Sequence, residues 1–543
     1  MAAAAAASPA AAAMASLRFT PATVVVAPGE PAKVRVEGDS GALVRVTFPE
    51  GYTRPENGAA FCNGPLSSVG ALEFLIVGRA TAKPGTLMVA YMSAPQLKAL
   101  APISIGVPVS PEPEPEPGAS LEVTDARSVV RLRGDIAASV ARTRENRSFA
   151  HSDLQPTGRF VRAGDTITVS GAASRSVSVA VGVFGNYADI NGGAKQDPAI
   201  LSGVGTSFSV KAPRDGMVFA INNVTPEQTV TVKGGRPTAV FVAGETTTDE
   251  FKAQLAARTD VPFATVVGDR TFGDFRRGMI AQYADAVAER VASWDSVVAH
   301  TDRVYGLDPS SSGVAHRHSH RVYITNPDTG AGYASATEKR ITFQVDTGAG
   351  ADLFRRPLSD QWGLWHEIGH TYQTPQYKRA GMTEVTVNIS AASVQEANGW
   401  PSRLDTAGYR TKVADFRKTP VGSRDFDTID DLFVRLLMFD QLRRAFGEDF
   451  YPRLSQEYRV LVANGASAIT NLGTVNAMKQ LFMRTASSVA KRDLSPFFRQ
   501  WGLTPDAETT KANAGFPRLE APIWENHDRT TDVRIGSVAP YAP

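Results

Sequence analysis

A run of alternating proline and glutamate, SPEPEPEPG at residues 110–118, divides this chain more sharply than any other feature. Proline has no backbone N–H and a fixed φ, and repeated glutamates repel one another, so such a run stays extended and joins neither helix nor sheet. We therefore place a linker at residues 109–119 and expect separately folded parts on either side. The 543 residues are enough for three or four hydrophobic cores.

The part before the linker has the pattern of short strands. Residues 17–108 alternate apolar and polar residues in runs such as AKVRVEG and GTLMVAYM, with glycine, proline and asparagine turns between them. This pattern predicts a small β-sandwich. The alanine-rich residues 1–16 have neither a positive charge nor a leucine-rich core. We interpret them as a low-complexity tail and find no recognisable signal peptide.

The part after the linker changes character twice. Residues 120–145 are basic and have helical spacing, and strand patterns follow to about residue 242, so we expect a helix plus a second β-sandwich over 120–248. Long stretches of helical apolar spacing surround the short strands HRVYIT and KRITFQVD in residues 249–505, which predicts a mostly helical domain with a small sheet. Residues 506–543 are assigned to a C-terminal tail. The fold class is therefore multidomain α+β.

Composition excludes several function classes. The formal charge of +2 shows no excess of basic residues, which argues against a nucleic-acid partner. The single cysteine, Cys62, excludes an intramolecular disulfide and a cysteine-based zinc site. The sequence contains no run of about 18 apolar residues, so we expect no membrane span.

The stretch QWGLWHEIGHTYQ, residues 361–373, carries the strongest chemical signal. In a helix, His366 and His370 lie on one face and can bind one metal ion, while Glu367 lies about 100° around the helix, beside the open coordination position. This arrangement is typical of a zinc metallopeptidase in which the glutamate is the general base. The alternative is an ordinary core helix that carries two histidines, but a metal would account for three ionisable groups among apolar neighbours.

A catalytic zinc site needs a third protein ligand. Glu384, in AGMTEVTVNIS, follows His370 by fourteen residues after a segment able to turn the chain back. We therefore predict that His366, His370 and Glu384 bind one Zn²⁺ per chain. Asn388 is i+4 from Glu384 and is expected to orient that carboxylate if the segment is helical.

A second candidate metal site is the segment HRHSHRVYIT, in which His316, His318 and His320 alternate with other residues. On a strand the three would share one face. No carboxylate base lies nearby in sequence and two arginines are interleaved, so we favour a solvated edge or loop over a metal site.

With these residues in view, the chain resembles the enhancin-like, mucin-degrading zinc metallopeptidases of peptidase family sixty. The resemblance rests on WGLWHEIGHTYQ and MTEVTVNIS, with further similarity in the flanking blocks, and covers roughly residues 150–505. It implies a gluzincin that hydrolyses peptide bonds in proteins, including O-glycosylated mucins. Gly332 and Tyr333 match the substrate-binding segment of the family, although the neighbouring histidine is absent.

The resemblance also sets expectations beyond the metal site. It implies that residues 17–108 are an immunoglobulin-like accessory module with a glycan as its ligand, and that the protein acts outside the cell. Two alternatives stay open: a catalytically silent glycoprotein-binding module, and a virion or secretion-system component that carries a zincin domain. The group that stabilises the oxyanion also stays open between Tyr377, Tyr409 and an arginine.

Overall fold

The computed structural model describes residues 17–105 and 120–539, apart from short gaps at 21–23, 27–28, 30, 69, 80, 84, 96–97, 172–176, 203–205, 331, 471 and 528–529. The predicted tail at 1–16 and the predicted linker at 109–119 lie outside the described residues. The chain divides into two compact units, Met1–Glu114 and Pro115–Pro543.

The first unit is built from strands whose alternate residues are valines or other apolar residues. Its two sheets have the strand orders β1-β3-β7-β5 and β2-β9-β8-β4-β6. Val34 and Val36 of one sheet and Val44 and Val46 of the other contribute to a common core. The strands are β1 Arg18–Thr20, β2 Val24–Val26, β3 Pro31–Glu37, β4 Leu43–Thr47, β5 Tyr52–Thr53, β6 Phe61–Pro65, β7 Ala71–Gly78, β8 Gly85–Tyr91 and β9 Lys98–Ile105.

The second unit begins with two five-stranded sheets, ordered β10-β11-β18-β13-β16 and β15-β14-β17-β12-β19, which also share a core. Their elements are β10 Leu121–Val123, β11 Arg127–Leu132, α1 Ala138–Arg144, β12 Gln155–Val161, β13 Thr166–Ser170, β14 Val177–Gly182, α2 Ala188–Asn191, β15 Ala199–Ser202, β16 Ser207–Lys211, β17 Gly216–Asn222, β18 Gln228–Lys233 and β19 Arg236–Pro237.

The predicted helix over residues 120–145 was wrong for most of its length. Only Ala138–Arg144 is helical, and the preceding residues form β10 and β11. Val130 pairs with Val230 of β18, and both are buried in the core between the two sheets. The long-range pairing of β-branched residues therefore decides the structure here over the local helical spacing.

A six-stranded sheet supports the part of the unit that carries the predicted metal site. Its order is β20-β21-β22-β23-β25-β24, so β24 lies at one edge and pairs antiparallel with β25. The sheet starts ahead of residue 249, where the sequence places the catalytic domain. The strands are β20 Ala239–Val242, β21 Phe263–Val267, β22 Thr271–Arg276, β23 Val322–Thr325, β24 Ala334–Thr337 and β25 Arg340–Phe343.

Helices from α3 onward pack into the largest apolar core of the molecule together with this sheet. They are α3 Thr248–Ala257, α4 Arg277–Ile280, α5 Val287–Val304, α6 Ala349–Arg355, α7 Trp362–Tyr372, α8 Thr383–Thr386, α9 Asn388–Ala397, α10 Ala407–Lys418, α11 Leu432–Phe446, α12 Phe450–Ala463, α13 Ser467–Thr470, α14 Val475–Ala490, α15 Ser495–Gln500 and α16 Ala507–Asn513. Short 3₁₀ segments occur at Ala281–Ala286, Gly313–Ala315, Leu358–Asp360, Pro375–Tyr377, Val421–Ser423, Phe426–Thr428 and Ile523–Glu525. Within the described residues, each helix is too short or too polar to cross a bilayer.

The segment from residue 506 onward, assigned above to a tail, packs onto α11. Ile523 is fully buried. Gln441 of α11 donates hydrogen bonds to the backbone oxygens of Trp524 and Asn526. Arg444 forms a buried ion pair of 3.0 Å with Asp532. These contacts make the segment part of the folded unit.

Candidate metal centre and catalytic site

Helix α7 is fixed in place by its apolar face and by one glycine. Leu364, Trp365 and Ile368 are buried in the main core. A Cβ added at Gly369 would lie 2.4 Å from the backbone oxygen of Val387, so only glycine allows the chain at the start of α9 to come this close. The close approach brings α8 and α9 beside the histidine face of α7.

The ligand atoms of the three predicted metal ligands lie close together. The Nε2 atoms of His366 and His370 lie 3.1 Å apart. Oε2 of Glu384, on α8, lies 3.1 Å from Nε2 of His366 and 3.6 Å from Nε2 of His370. Across the described residues, this is the one group of three or more histidine, cysteine or acidic side chains with ligand atoms close enough to share an ion.

The outer nitrogens of both histidines are held by side-chain amides. Nδ1 of His366 lies 2.8 Å from Oδ1 of Asn388, and Nδ1 of His370 lies 3.0 Å from Oε1 of Gln373. Each amide NH₂ is used elsewhere: Asn388 donates to the backbone oxygen of Glu384, and Gln373 donates to that of Thr383. The amide oxygens therefore face the histidines, Nδ1 of each ring donates a hydrogen bond to its amide, and Nε2 of each ring faces Glu384.

These two amides were only partly anticipated. Asn388 was predicted to orient the carboxylate of Glu384, but its amide donates to the Glu384 backbone oxygen and its own oxygen accepts from His366. Gln373 was missed, although it directly follows the last residue of α7 and lies only three residues after His370. A carboxamide at that spacing is the signal that sequence reasoning could have used.

The donor set fits a zinc ion. Two imidazole nitrogens and a carboxylate oxygen that converge at such distances need a proton or a metal cation between them. In a tetrahedral zinc site with ligand distances of about 2.0–2.1 Å, neighbouring donor atoms lie about 3.3 Å apart. The observed separations of 3.1, 3.1 and 3.6 Å bracket that value. His366, His370 and Glu384 are the residues that would hold the ion.

Electrostatics within the cluster favour the metal-binding form of Glu384. Hydrogen bonds to His366 and His370 hold the pKa of Glu384 well below its usual range. Enclosure lowers the pKa of His366, but hydrogen bonds to Glu384 and Asn388 outweigh it and raise that pKa above its ordinary value. A proton on His366 therefore competes with a metal ion for the same nitrogen.

Glu367 lies beside the cluster in an enclosed position. Its side chain is buried, and its Oε2 atom has no hydrogen-bond partner among the described residues. Burial raises the pKa of Glu367, while a hydrogen bond from the Ala336 backbone in strand β24 acts in the opposite direction. The carboxylate thus lies between the metal cluster and the edge strand of the sheet.

The two predicted substrate-binding residues lie where the chain enters β24. Gly332 has a φ of +69°, which favours glycine, and Tyr333 is 40% exposed. The Tyr333 hydroxyl donates a 2.7 Å hydrogen bond to Asp352. Burial and this bond raise the pKa of Tyr333 to about 12. The tyrosine is therefore anchored next to the edge strand in its neutral form.

The tyrosines considered for oxyanion stabilisation have other surroundings. Tyr377 is buried against the rings of Tyr458 and Phe482. Tyr409 lies on α10 with its ring 5.7 Å from that of Phe433. The environment of Tyr377 is that of a core residue.

The interpretation of His316, His318 and His320 as a solvated segment was wrong. The residues form a loop, but His318 and His320 are buried. Nδ1 of His318 forms a 2.8 Å hydrogen bond with Asp135, which lies between β11 and α1. The long-range partner, which no local pattern shows, accounts for the burial.

The family comparison matches the region that contains this geometry. Residues 234–502 match the model of peptidase M60, enhancin and enhancin-like proteins. These residues therefore belong to the M60 family. M60 metallopeptidases are zinc enzymes, in agreement with the donor set described above.

Similar proteins include solved structures and curated sequences. A protein of unknown function from Bacillus anthracis is 25% identical with a TM-score of 0.69, covering 77% of this chain and 84% of its own. The M60 catalytic domain of Clostridium perfringens ZmpC, solved in complex with the sialyl T antigen, is 18% identical with a TM-score of 0.60, covering 73% of this chain and 81% of its own. The second likeness concerns the fold alone.

Among curated sequences, TRPM8 channel-associated factor 1 of Bos taurus is 25% identical over 303 residues. The match covers 54% of this chain and 31% of the relative. The chain thus spans about a third of the length of the curated relative that it matches.

Proposed function

We propose that this protein is a zinc-dependent endopeptidase. The proposal rests on the positions of His366, His370 and Glu384, whose ligand atoms all lie within 4.8 Å of one another. Glu367 is buried beside them. The M60 match supports a peptidase at the level of the family. The proposal adds that this chain itself is active.

In the proposed reaction, different residues bind the metal, transfer protons and orient the ligands. A zinc ion bound by the cluster would polarise the scissile carbonyl and lower the pKa of a water. Glu367 accepts a proton from the attacking water and then delivers it to the nitrogen of the leaving amine. Burial raises the pKa of Glu367, which makes its carboxylate a stronger proton acceptor for the attacking water. Asn388 and Gln373 keep the imidazoles oriented throughout.

The edge strand supports a polypeptide substrate. Strand β24 ends the six-stranded sheet, and its outer side has no strand partner among the described residues. An extended peptide can add to such an edge through main-chain hydrogen bonds. The backbone of Ala336 in β24 also contacts Glu367, so a peptide on this edge would lie beside the general base.

We further propose that the substrates are glycoproteins with O-linked glycans. The support is the M60 catalytic domain of ZmpC, which was solved with the sialyl T antigen. In this proposal the first unit is an accessory module that binds a glycan, and the protein acts outside the cell.

A second candidate is a binding role without catalysis. It is favoured by the names of the curated relatives, which are described as channel-associated factors. The presence of Glu367 argues for catalysis, because a binding site has no need of a general base beside the ligands.

The test compares the wild type with Glu367→Gln on a mucin-type glycoprotein. We expect cleavage by the wild type and a loss of at least 100-fold in the variant, because general acid–base catalysis contributes about 10²–10⁴-fold. Glu520→Gln is a matched control on an exposed side chain and should cleave like the wild type. Failure of the zinc-loaded wild type to cleave any protein substrate would leave the binding role.

A further inference from the structure

Arg403 lies beside the metal helix, and none of the described acidic residues forms an ion pair with it. Arg403 belongs to the loop between α9 and α10 and is exposed. Its guanidinium carbon lies 4.7 Å from the centre of the Trp362 ring and 5.2 Å from that of Phe433. Stacking on aromatic faces holds a guanidinium in place while its N–H groups stay free to bind.

The loop that carries Arg403 is fastened at several points. Trp400 stacks on Trp365 of α7 with ring centres 5.3 Å apart and an interplanar angle of 8°. The backbone N–H of Arg403 donates a 2.7 Å hydrogen bond to Gln395 of α9. Asp405 forms a 2.7 Å ion pair with Arg444 of α11. Arg403 is therefore presented by a fixed scaffold.

No acidic group of the described residues neutralises Arg403. It takes part in none of their ion pairs, and its side chain forms none of their hydrogen bonds. The neighbouring carboxylate of Asp431 is already bound by Lys412 and by the backbone N–H groups of Phe433 and Val434. A cation fixed at the surface with its donors unused is suited to an anion from another molecule.

The position of Arg403 relates it to the metal site. Trp362, on which it stacks, precedes His366 by one helical turn on the same face of α7. Residues four apart on a helix have Cβ atoms about 5–6 Å apart. A substrate group that reaches the guanidinium would therefore lie on the side of the metal site that faces the start of α7.

We propose that Arg403 is a specificity-determining residue that binds a carboxylate of the substrate beside the scissile bond. A carboxylate is the favoured partner because its two oxygens match the fork of N–H donors of arginine. The carboxylate can belong to an acidic side chain or to an acidic sugar on the substrate. The inference rests on the proposed peptidase function and adds a preference that the metal site alone does not supply.

The test measures cleavage by the wild type, Arg403→Gln and Arg403→Lys. One set of substrates is a library of unglycosylated peptides in which Asp and Glu are compared with Asn and Gln at each position near the cleaved bond. The other is a sialylated mucin-type glycoprotein before and after sialidase treatment. Arg410→Gln, an exposed arginine on α10, is the matched control. Melting temperatures and zinc content confirm that the variants are folded.

We expect Arg403→Gln to lower kcat/KM for carboxylate-bearing substrates about tenfold, mainly through KM, and to leave the uncharged counterparts unchanged. Arg403→Lys should retain part of the preference, because it keeps the charge but not the fork. A loss confined to the peptides assigns the carboxylate to an acidic side chain, and a loss confined to the sialylated protein assigns it to the sugar.

Two outcomes would overturn the inference in distinguishable ways. Cleavage by the wild type with the same acidic-to-neutral ratio in Arg403→Gln would reject the role of Arg403 and leave the peptidase proposal standing. No cleavage of either substrate set by the zinc-loaded wild type would reject the peptidase proposal and the inference with it.

Discussion

Replacing Asn388 with alanine removes the acceptor that holds Nδ1 of His366 at 2.8 Å. The side chain is 1% exposed, so water does not easily take its place. The variant also loses the 2.9 Å hydrogen bond from the amide to the Glu384 backbone, so two of the three ligands lose support at once. Loss of such an outer partner costs about 10- to 100-fold in metal affinity, or about 1.4–2.7 kcal/mol.

The assay is competition for zinc between the protein and a chromophoric chelator at neutral pH. Asn398→Ala is the matched control, because Asn398 directly follows the same helix α9 and, among the described residues, its amide donates to the backbone oxygen of Val394 and touches none of the candidate ligands. We expect Asn398→Ala to bind zinc like the wild type. Equal zinc affinity in Asn388→Ala and the wild type would refute the idea that the amides orient the ligands.

Two further predictions concern packing and pH. Gly369→Ala should destabilise the fold by about 1–3 kcal/mol and weaken zinc binding, because the new methyl group would lie 2.4 Å from the Val387 oxygen. Gly363→Ala is the control, because its methyl group would lie 3.4 Å from the nearest atom. Equal thermal stability of the two variants would contradict the packing argument. The pKa of His366 is raised in the metal-free fold, so its contribution to stability is complete below the unfolded histidine pKa of about 6.5 and is lost as the pH rises through the folded value. Zinc binds the unprotonated imidazole ring, so zinc affinity should fall as the pH drops through the raised pKa of His366. A zinc affinity that stays constant between about pH 5 and 9 would contradict the assignment of His366 as a ligand.

The candidate metal ligands could be predicted from the sequence because their geometry is mostly local. His366 and His370 are one helical turn apart, so the helix itself brings them together. Glu384 was harder, since its position depends on the turn after α7, but few acidic residues follow within a suitable distance. The predicted ligand atoms meet in the structure.

The failures involve residues whose partners are distant in sequence. Strand β11 was predicted as helix because its pairing with β18, about a hundred residues later, leaves no local sign. The same holds for His318, whose burial depends on Asp135. Arg403 lies nineteen residues after Glu384, and its place beside α7 depends on the stacking of Trp400 on Trp365.

The metal centre and the assigned base are tested together by the zinc content of the wild type and Glu367→Gln, measured alongside their cleavage of a mucin-type glycoprotein. We expect about one zinc per chain in both proteins and proteolysis in the wild type alone, because Glu367 transfers protons and does not bind the ion. Absence of zinc from both proteins after reconstitution would contradict the metal centre, and undiminished cleavage by Glu367→Gln would contradict the assigned base.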